Sequence, residues 1–289
     1  MEMKQWHPTV GIQRLCDEFG MHRQSFYEWM HRKDDKAITY KIVLEEVSRI
    51  RDKVPQLGTS KLYFLLKDFL LDNDIKMGRQ ALNSLLKKNN MLVYRTRKKP
   101  YTTNSNHPFR KYPNLIKGMI AERPDEIWVS DITYIAMPQG FSYLSLLTDA
   151  YSRKIIGWAF QDSLKASGPV EALKQAIYGR RYPRKSLIHH SDRGMQYCCH
   201  EYINLLNRYK IQISMTENGD PYENPLAERM NGILKEEFLL RGFHSYPLAY
   251  KRVHESIGIY NNFRPHGSLE NRTPNQVYEK FKMNNLRKL

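Results

Sequence analysis

The sequence predicts an α/β protein in which an all-α front precedes a mixed sheet flanked by helices. Three observations predict it. Apolar residues recur at helical spacing through the first third, and a basic, proline-bearing stretch interrupts the pattern at 95–117. From residue 125, β-rich runs joined by short turns take over. The 289 residues allow one large or two modest domains with a substantial core. A content of 41% hydrophobic and 12% aromatic residues is that of a globular chain and not a disordered one.

Two helical groups make up the front. Val10 to Phe19 carries Ile12, Leu15, Cys16 and Phe19 at helical spacing, and Gly20 can end that helix. Arg23 to Arg32 follows as a second short helix. Over 1–36 this is the pattern of a helix-turn-helix-like segment, which an ordinary αα-hairpin shares. A second helical DNA-binding domain is expected over 37–94, with helices at Ile38–Asp52, Ser60–Leu71 and Arg79–Lys88. Arg79, Gln80, Asn83, Lys87 and Lys88 take polar positions of the last helix, as a recognition helix in a DNA groove or the solvated face of a bundle would.

Residues 95–124 read as a basic linker. Arg95, Arg97, Lys98, Lys99, Arg110, Lys111 and Lys117 are not interrupted by any acid between 95 and 117. Pro100, Pro108 and Pro113 oppose regular structure, and Tyr101, Phe109 and Tyr112 are available to pack or stack. A segment tracking phosphates fits this better than a solvated tether.

The rest, 125–285, reads as a core with a C-terminal extension. Ile127–Ile135, Phe141–Thr148 and Lys154–Phe160 form an antiparallel meander. A helix at Pro169–Tyr178, a strand at Ser186–His190, a helix at His200–Tyr209 and a strand at Ile211–Met215 follow. A longer helix, Pro225 to about Leu239, has Asn224 placed to cap it and Pro225 at its first position. The order βββαβαβα is that of the ribonuclease H-like fold.

Forty-six Lys and Arg against thirty Asp and Glu leave a net charge of +16. Such an excess suits a polyanionic partner, nucleic acid before anionic membrane. Cys16, Cys198 and Cys199 make no disulfide framework, which fits a reducing compartment. No apolar h-region opens the chain and no apolar run approaches a membrane span, so a soluble, cytoplasmic and nucleoid-associated protein is expected. His189, His190, Cys198, Cys199 and His200 are too crowded for a standard zinc site.

Three acids stand out. Asp131 interrupts an apolar strand, where a carboxylate costs several kcal/mol unless compensated; a buried Asp–Arg pair would also account for it. Asp192 opens the loop after the strand ending at His190, where ligand-facing residues gather in α/β sheets, or where a turn-forming Asp sits. Glu228 shares one side of its helix with Asn231 and Lys235, away from Leu226, Met230, Ile233 and Leu234. Two Asp and a Glu are hard oxygen ligands suited to magnesium or manganese. Two such ions, about 3.5–4 Å apart, serve in-line displacement at phosphorus without a side-chain nucleophile.

The chain resembles insertion-sequence DDE transposases with a retroviral-integrase-like core, the second-reading-frame product of two-frame elements. The matching stretches are WVSDITYI (128–135), LTDAYSRKIIGW (147–158), HSDRGMQY (190–197), ENGDPYENPLAERMNGILKEEF (217–238) and YNNFRPHGSLENRTPNQVY (260–278). In that family thirty-five residues separate the second Asp from the Glu; here 193–227 is that interval, and Glu223, Glu236 and Glu237 do not meet it. The resemblance implies that Asp131, Asp192 and Glu228 are catalytic and hold two Mg²⁺ (or Mn²⁺). It implies that Lys235 contacts DNA near the cleaved end, and Asn231 is a weaker candidate there. Asp149 matches a family motif and reads as a turn. Arg264 is a candidate phosphate contact within a segment, with His266, that otherwise supports the core. The resemblance further implies cleavage at transposon ends, strand transfer through a circular intermediate, a homo-oligomer on DNA, and a first-frame protein as partner or fusion. A nuclease without strand transfer, or a DNA-binding regulator with a decayed core, are the alternatives.

Overall fold

In the computed structural model, residues 10–94, 108–217, 224–239 and 243–281 are described. The chain divides into two units: 1–52 with 62–92, and 53–61 with 93–289.

The first unit is helical: α1 (Ile12–Glu18), α2 (Arg23–Lys53), α3 (Thr59–Asp72, which begins in the second unit) and α4 (Arg79–Lys88). Gly20 turns the chain between α1 and α2 at φ 61°, where a side chain would be strained. The two helices expected at 23–32 and 38–52 are one helix of 31 residues. Nothing between them breaks a helix: Asp34, Asp35 and Lys36 are exposed, and the Thr39 hydroxyl donates to the Asp35 carbonyl at 2.8 Å. The boundary expected at residue 36 thus falls inside a helix. Val43, Val47, Ile50, Leu62, Leu66, Leu70, Leu82 and Leu86 are buried apolar residues on the unit's three longer helices.

The second unit is built on a five-stranded sheet of order β3-β2-β1-β4-β5. Its strands are β1 (Ile127–Met137), β2 (Gly140–Asp149), β3 (Ile155–Gln161), β4 (Ile188–Ser191) and β5 (Gln212–Met215). The first three form the expected antiparallel meander, while β4 lies parallel to β1 and β5 parallel to β4. This mixed order is the ribonuclease H-like arrangement. Helices α5 (Ser167–Tyr178), α6 (Met195–Cys198) and α7 (His200–Arg208) supply the main core on one face, where Trp128, Leu147, Leu173, Tyr202 and Leu206 are buried. Gly157 allows α5 onto β3: a Cβ there would sit 2.0 Å from the Ala172 carbonyl oxygen. On the other face, Ile127 and Val129 meet Ala227 of α8 (Pro225–Ile233).

Both sheet edges are covered. At β5, the Met215 N–H donates to the Pro113 carbonyl at 3.2 Å, and the Leu115 N–H to Ser214 Oγ at 2.8 Å. Phe109 and Tyr112 pack against the main core. The described end of the basic linker is therefore part of the core's wall, because an open edge has unpaired groups to satisfy; Arg95, Arg97, Lys98 and Lys99 lie outside the described residues. At β3 the cover is α9 (Tyr246–Asn262), a helix the sequence reading did not place. Asn261 bonds both the N–H and the carbonyl of Ile155, each at 2.9 Å. The last helix among the described residues is α10 (Pro274–Lys280), which begins at a Thr273–Gln276 capping box.

Candidate active site

Strand register brings the first two acids together. Ile127 pairs with Ile188, Trp128 with His189 and Val129 with His190 in the parallel β1–β4 ladder. Two positions further along each chain come Asp131 and Asp192. Asp131 shares the face of Val129 on β1, and Asp192 lies just past the end of β4, near enough for its charge to act on Asp131. The Val129 face carries α8. Its Asn231 donates from Nδ2 to Asp131 Oδ2 at 2.7 Å, and Lys235 donates from Nζ to Thr133 Oγ1 at 3.1 Å. Asn224, expected to cap α8, makes no capping bond and instead donates to the Ser130 carbonyl at 3.0 Å. Helix and strand are thus joined at Ser130, Asp131 and Thr133.

Asp131 is half-buried, yet its pKa is raised to about 7. Burial is the largest cause, and the nearby Asp192 charge adds to it. The bonds from Asn231 and from the Ile132 N–H, the latter at 2.9 Å, work the other way, while Glu228 raises the pKa further. The charges of both other acids therefore act on Asp131. Asp192 accepts from the Gly194 N–H at 2.9 Å, which fixes the turn after β4. Glu228 is exposed in the first turn of α8.

Among the described residues, no three His, Cys, Asp or Glu close tightly enough to cage an ion. What is assembled is a pair of aspartates with a glutamate on the facing helix. Its donor chemistry fits a hard divalent cation: carboxylate oxygens crowded so that they resist ionising together, with each Asp131 oxygen engaged by a single N–H and lone pairs left over. Glu228, on a long and exposed side chain, would have to turn inward to join.

Arg264, a candidate phosphate contact, is 1% exposed and enclosed. It grips Glu237 with two bonds of 2.6 Å and meets His266 Nε2 at 3.0 Å. Its donors are spent inside the protein, so the structure corrects that expectation in favour of support for the core. Burial works to raise the Glu237 pKa, but Arg264 and then Lys61 hold it below the ordinary value; Lys61 Nζ lies 3.4 Å from Glu237. Burial and the neighbouring cations push His266 down to about 3. Glu237 lies in a π-helical turn, Leu234–Phe238, that continues α8 and also carries Lys235. The sequence reading missed this widened turn, for which no residue pattern signals.

Asp149, read as a turn residue, is fully buried; it accepts from the Ser152 N–H and hydroxyl and from the Asp125 N–H. His189 bonds the Tyr202 hydroxyl, His190 bonds Ser214, and Cys198 lies against Met215. Arg79 begins α4 in the first unit, exposed. Glu223 lies outside the described residues.

Comparison with known proteins bears on what this arrangement serves. Residues 121–221 match the family described as "Integrase core domain", and 209–274 match a second pattern of the same description. A 31 kDa protein of insertion element IS600 from Shigella sonnei is 33% identical over 92% of this chain and 98% of its own length. The transposase of insertion sequence IS629, also from Shigella sonnei, is 28% identical over 80% of this chain and 78% of its own. Among solved structures, the HTLV-2 integrase catalytic core in complex with magnesium (dimeric form) aligns at a TM-score of 0.43 and 20% identity, over 54% of this chain and 98% of that one. With a relative this similar along nearly its whole length, and with integrase-core patterns spanning all three acids, the chain belongs to the insertion-sequence transposases that carry an integrase core domain.

Proposed function

We propose that the protein is a DDE transposase that cuts DNA at the ends of its element and joins the freed ends to a target, with Asp131, Asp192 and Glu228 as its metal-holding acids. The observation that supports this reading is the parallel β1–β4 pairing, after which Asp131 follows Val129 by two residues and Asp192 follows His190 by two, with α8 bonded to Asp131 through Asn231. Two divalent cations, Mg²⁺ or Mn²⁺, would supply activation of the attacking oxygen and stabilisation of the leaving oxygen. The chain's own residues do the rest. Asp131 would offer its oxygens from within β1, Asp192 from the turn just past β4, and Glu228 a third from the helix. Asn231 holds one Asp131 oxygen and so sets the carboxylate's orientation. Lys235, two residues along the same strand face at Thr133, is within side-chain reach of a phosphate next to the scissile one. Asn231 itself is a weaker DNA contact, and Arg79 with the basic residues 95, 97, 98 and 99 would add phosphate contacts.

The partners are transposon ends and target DNA, with the protein acting as a homo-oligomer and with a first-frame protein as companion or fusion. Ala at Asp131, Asp192 or Glu228 is expected to lower both cleavage and joining by at least about 10³-fold, while retention of end DNA in a gel shift persists. Wild-type joining by any of the three variants would sink the assignment. Hydrolysis with no joined product would make the protein a nuclease.

A further inference from the structure

Along β1 from Asp131, reached at Val129, lies a cavity of about 690 Å³ that no role above accounts for. Its floor is apolar. Ile127 and Val129 alternate onto the same face of β1 as Asp131, and Leu226 of α8 lies opposite them. Asn224 lines it too, and that side chain is 6% exposed with Oδ1 lacking any hydrogen-bond partner, while Nδ2 is held on the Ser130 carbonyl. Lys117, paired with Glu217 at 3.5 Å, and the half-buried Arg153, which donates to the Ala150 carbonyl, are the cations of its other walls. Arg272 and Glu270 form an ion pair at another side.

We propose that this cavity receives one nucleotide turned out of the DNA strand next to the phosphate held at Asp131. This rests on the transposase reading and names what part of the substrate the neighbouring cavity takes. Four features point there. The volume is within the range of about 300–1,000 Å³ that takes a small organic ligand, ample for a base and sugar. Val129 stands two residues before Asp131, about 7 Å along the strand, so the cavity begins within a nucleotide or two of the reacting phosphate. The apolar floor accepts the faces of a base, and the buried Asn224 Oδ1 accepts a hydrogen bond from an exocyclic amine or ring N–H. Lys117 and Arg153 meet the strand's own phosphates. Duplex ends fray, so a base beside an end is the easiest to extract.

The experiment uses the full chain in EDTA, which prevents cleavage, and a duplex copying the element's terminal repeat. 2-Aminopurine replaces a base at each of the first three positions beside the cleavage point, on either strand in turn. Anisotropy reports whether the duplex is bound, and 2-aminopurine fluorescence reports whether the base is unstacked. One position is expected to brighten at least threefold on binding. The rise should persist in Asp131→Asn, since it does not depend on metal. It should vanish in Leu226→Trp, which fills the cavity; if that variant melts early, Met119→Trp, on a half-exposed wall residue, serves the same purpose. Binding with no brightening at any position overturns this proposal alone, as does brightening that survives the filling variants. Loss of the signal on adding excess free deoxynucleoside monophosphate also overturns it, since the cavity would then prefer a free nucleotide. No binding of the duplex would overturn the transposase reading as well.

Discussion

Asp131 is the residue on which the proposed chemistry turns, because its carboxylate feels the charges of both Asp192 and Glu228. Its folded pKa of about 7 exceeds the ordinary value near 3.9, so the folded state keeps a proton that the unfolded chain gives up. The stability linked to that proton is fully present below about pH 4 and is lost as pH rises through about 7. Metal-free protein should therefore melt a few degrees lower at pH 8 than at pH 5 from this group, and Asp131→Asn should flatten that slope. A pH series of thermal melts checks this; an unchanged slope in the variant would place the charge strain elsewhere. Added Mg²⁺ should raise the wild-type melting temperature at pH 8 and leave Asp131→Asn nearly unmoved. Asn231 offers a second test. Asn231→Asp would replace a donor 2.7 Å from Asp131 with a fourth acid, so metal affinity and cleavage rate should fall at least about tenfold, while Asn231→Ala should lower the rate with less effect on its pH profile. The sequence singled out the proposed acids, Asp131 by its place in an apolar strand and Asp192 with Glu228 by the thirty-five residues between them. The Asn231–Asp131 and Lys235–Thr133 bonds were not legible there, because they join positions a hundred residues apart and depend on how the helix is rotated.

At the scale of elements, α8 and its π turn matter most. Met230, Ile233 and Leu234 bury one side of the helix, and Asn224, Asn231 and Lys235 tie it to β1. The widened turn is held from behind by Glu237, which Arg264 grips and which accepts at its backbone carbonyl from the Gln56 N–H at 3.2 Å. Breaking a buried pair strands a charge, so Arg264→Ala should cost about 3–5 kcal/mol of stability by denaturant melts. Arg264→Met with Glu237→Met should recover most of that loss, since two apolar groups leave no unpaired ion. If the double variant is as unstable as the single one, packing and not charge is what the pair provides. The sheet elements and helix α4 were legible from alternation and periodicity. Helix α9 was hidden because its buried stripe includes polar members, Ser256 and Asn261, whose partners lie on another element. The single long α2 was read as two because exposed charges at 34–36 resemble a loop, although nothing there breaks helical hydrogen bonding.

For the whole molecule, the +16 net charge makes a prediction independent of the site. Affinity for a mixed-sequence duplex should fall steeply with salt, by about 10³-fold or more between 50 and 200 mM if six or more phosphates are neutralised. Filter binding across that range measures the slope, and a flat response would mean that the basic residues stay solvated in the complex. Asp131→Ala should keep the same slope, because the acids do not neutralise phosphates.

The sequence by itself singled out the proposed acids and most of the order of elements, helix α9 and the unbroken α2 excepted. Alternation, helical period and the thirty-five residues between Asp192 and Glu228 are properties of neighbouring positions along the chain. Only the tertiary structure decided what those residues touch. Burial turned Arg264 from a candidate phosphate contact into the anchor of Glu237, since a guanidinium enclosed by the core must find its carboxylate within reach. The same enclosure placed Phe109 and Tyr112 on the main core and left a cavity along β1 from Asp131. Such outcomes depend on which surfaces meet when strands and helices close over one another, and that is set by contacts between distant parts of the chain.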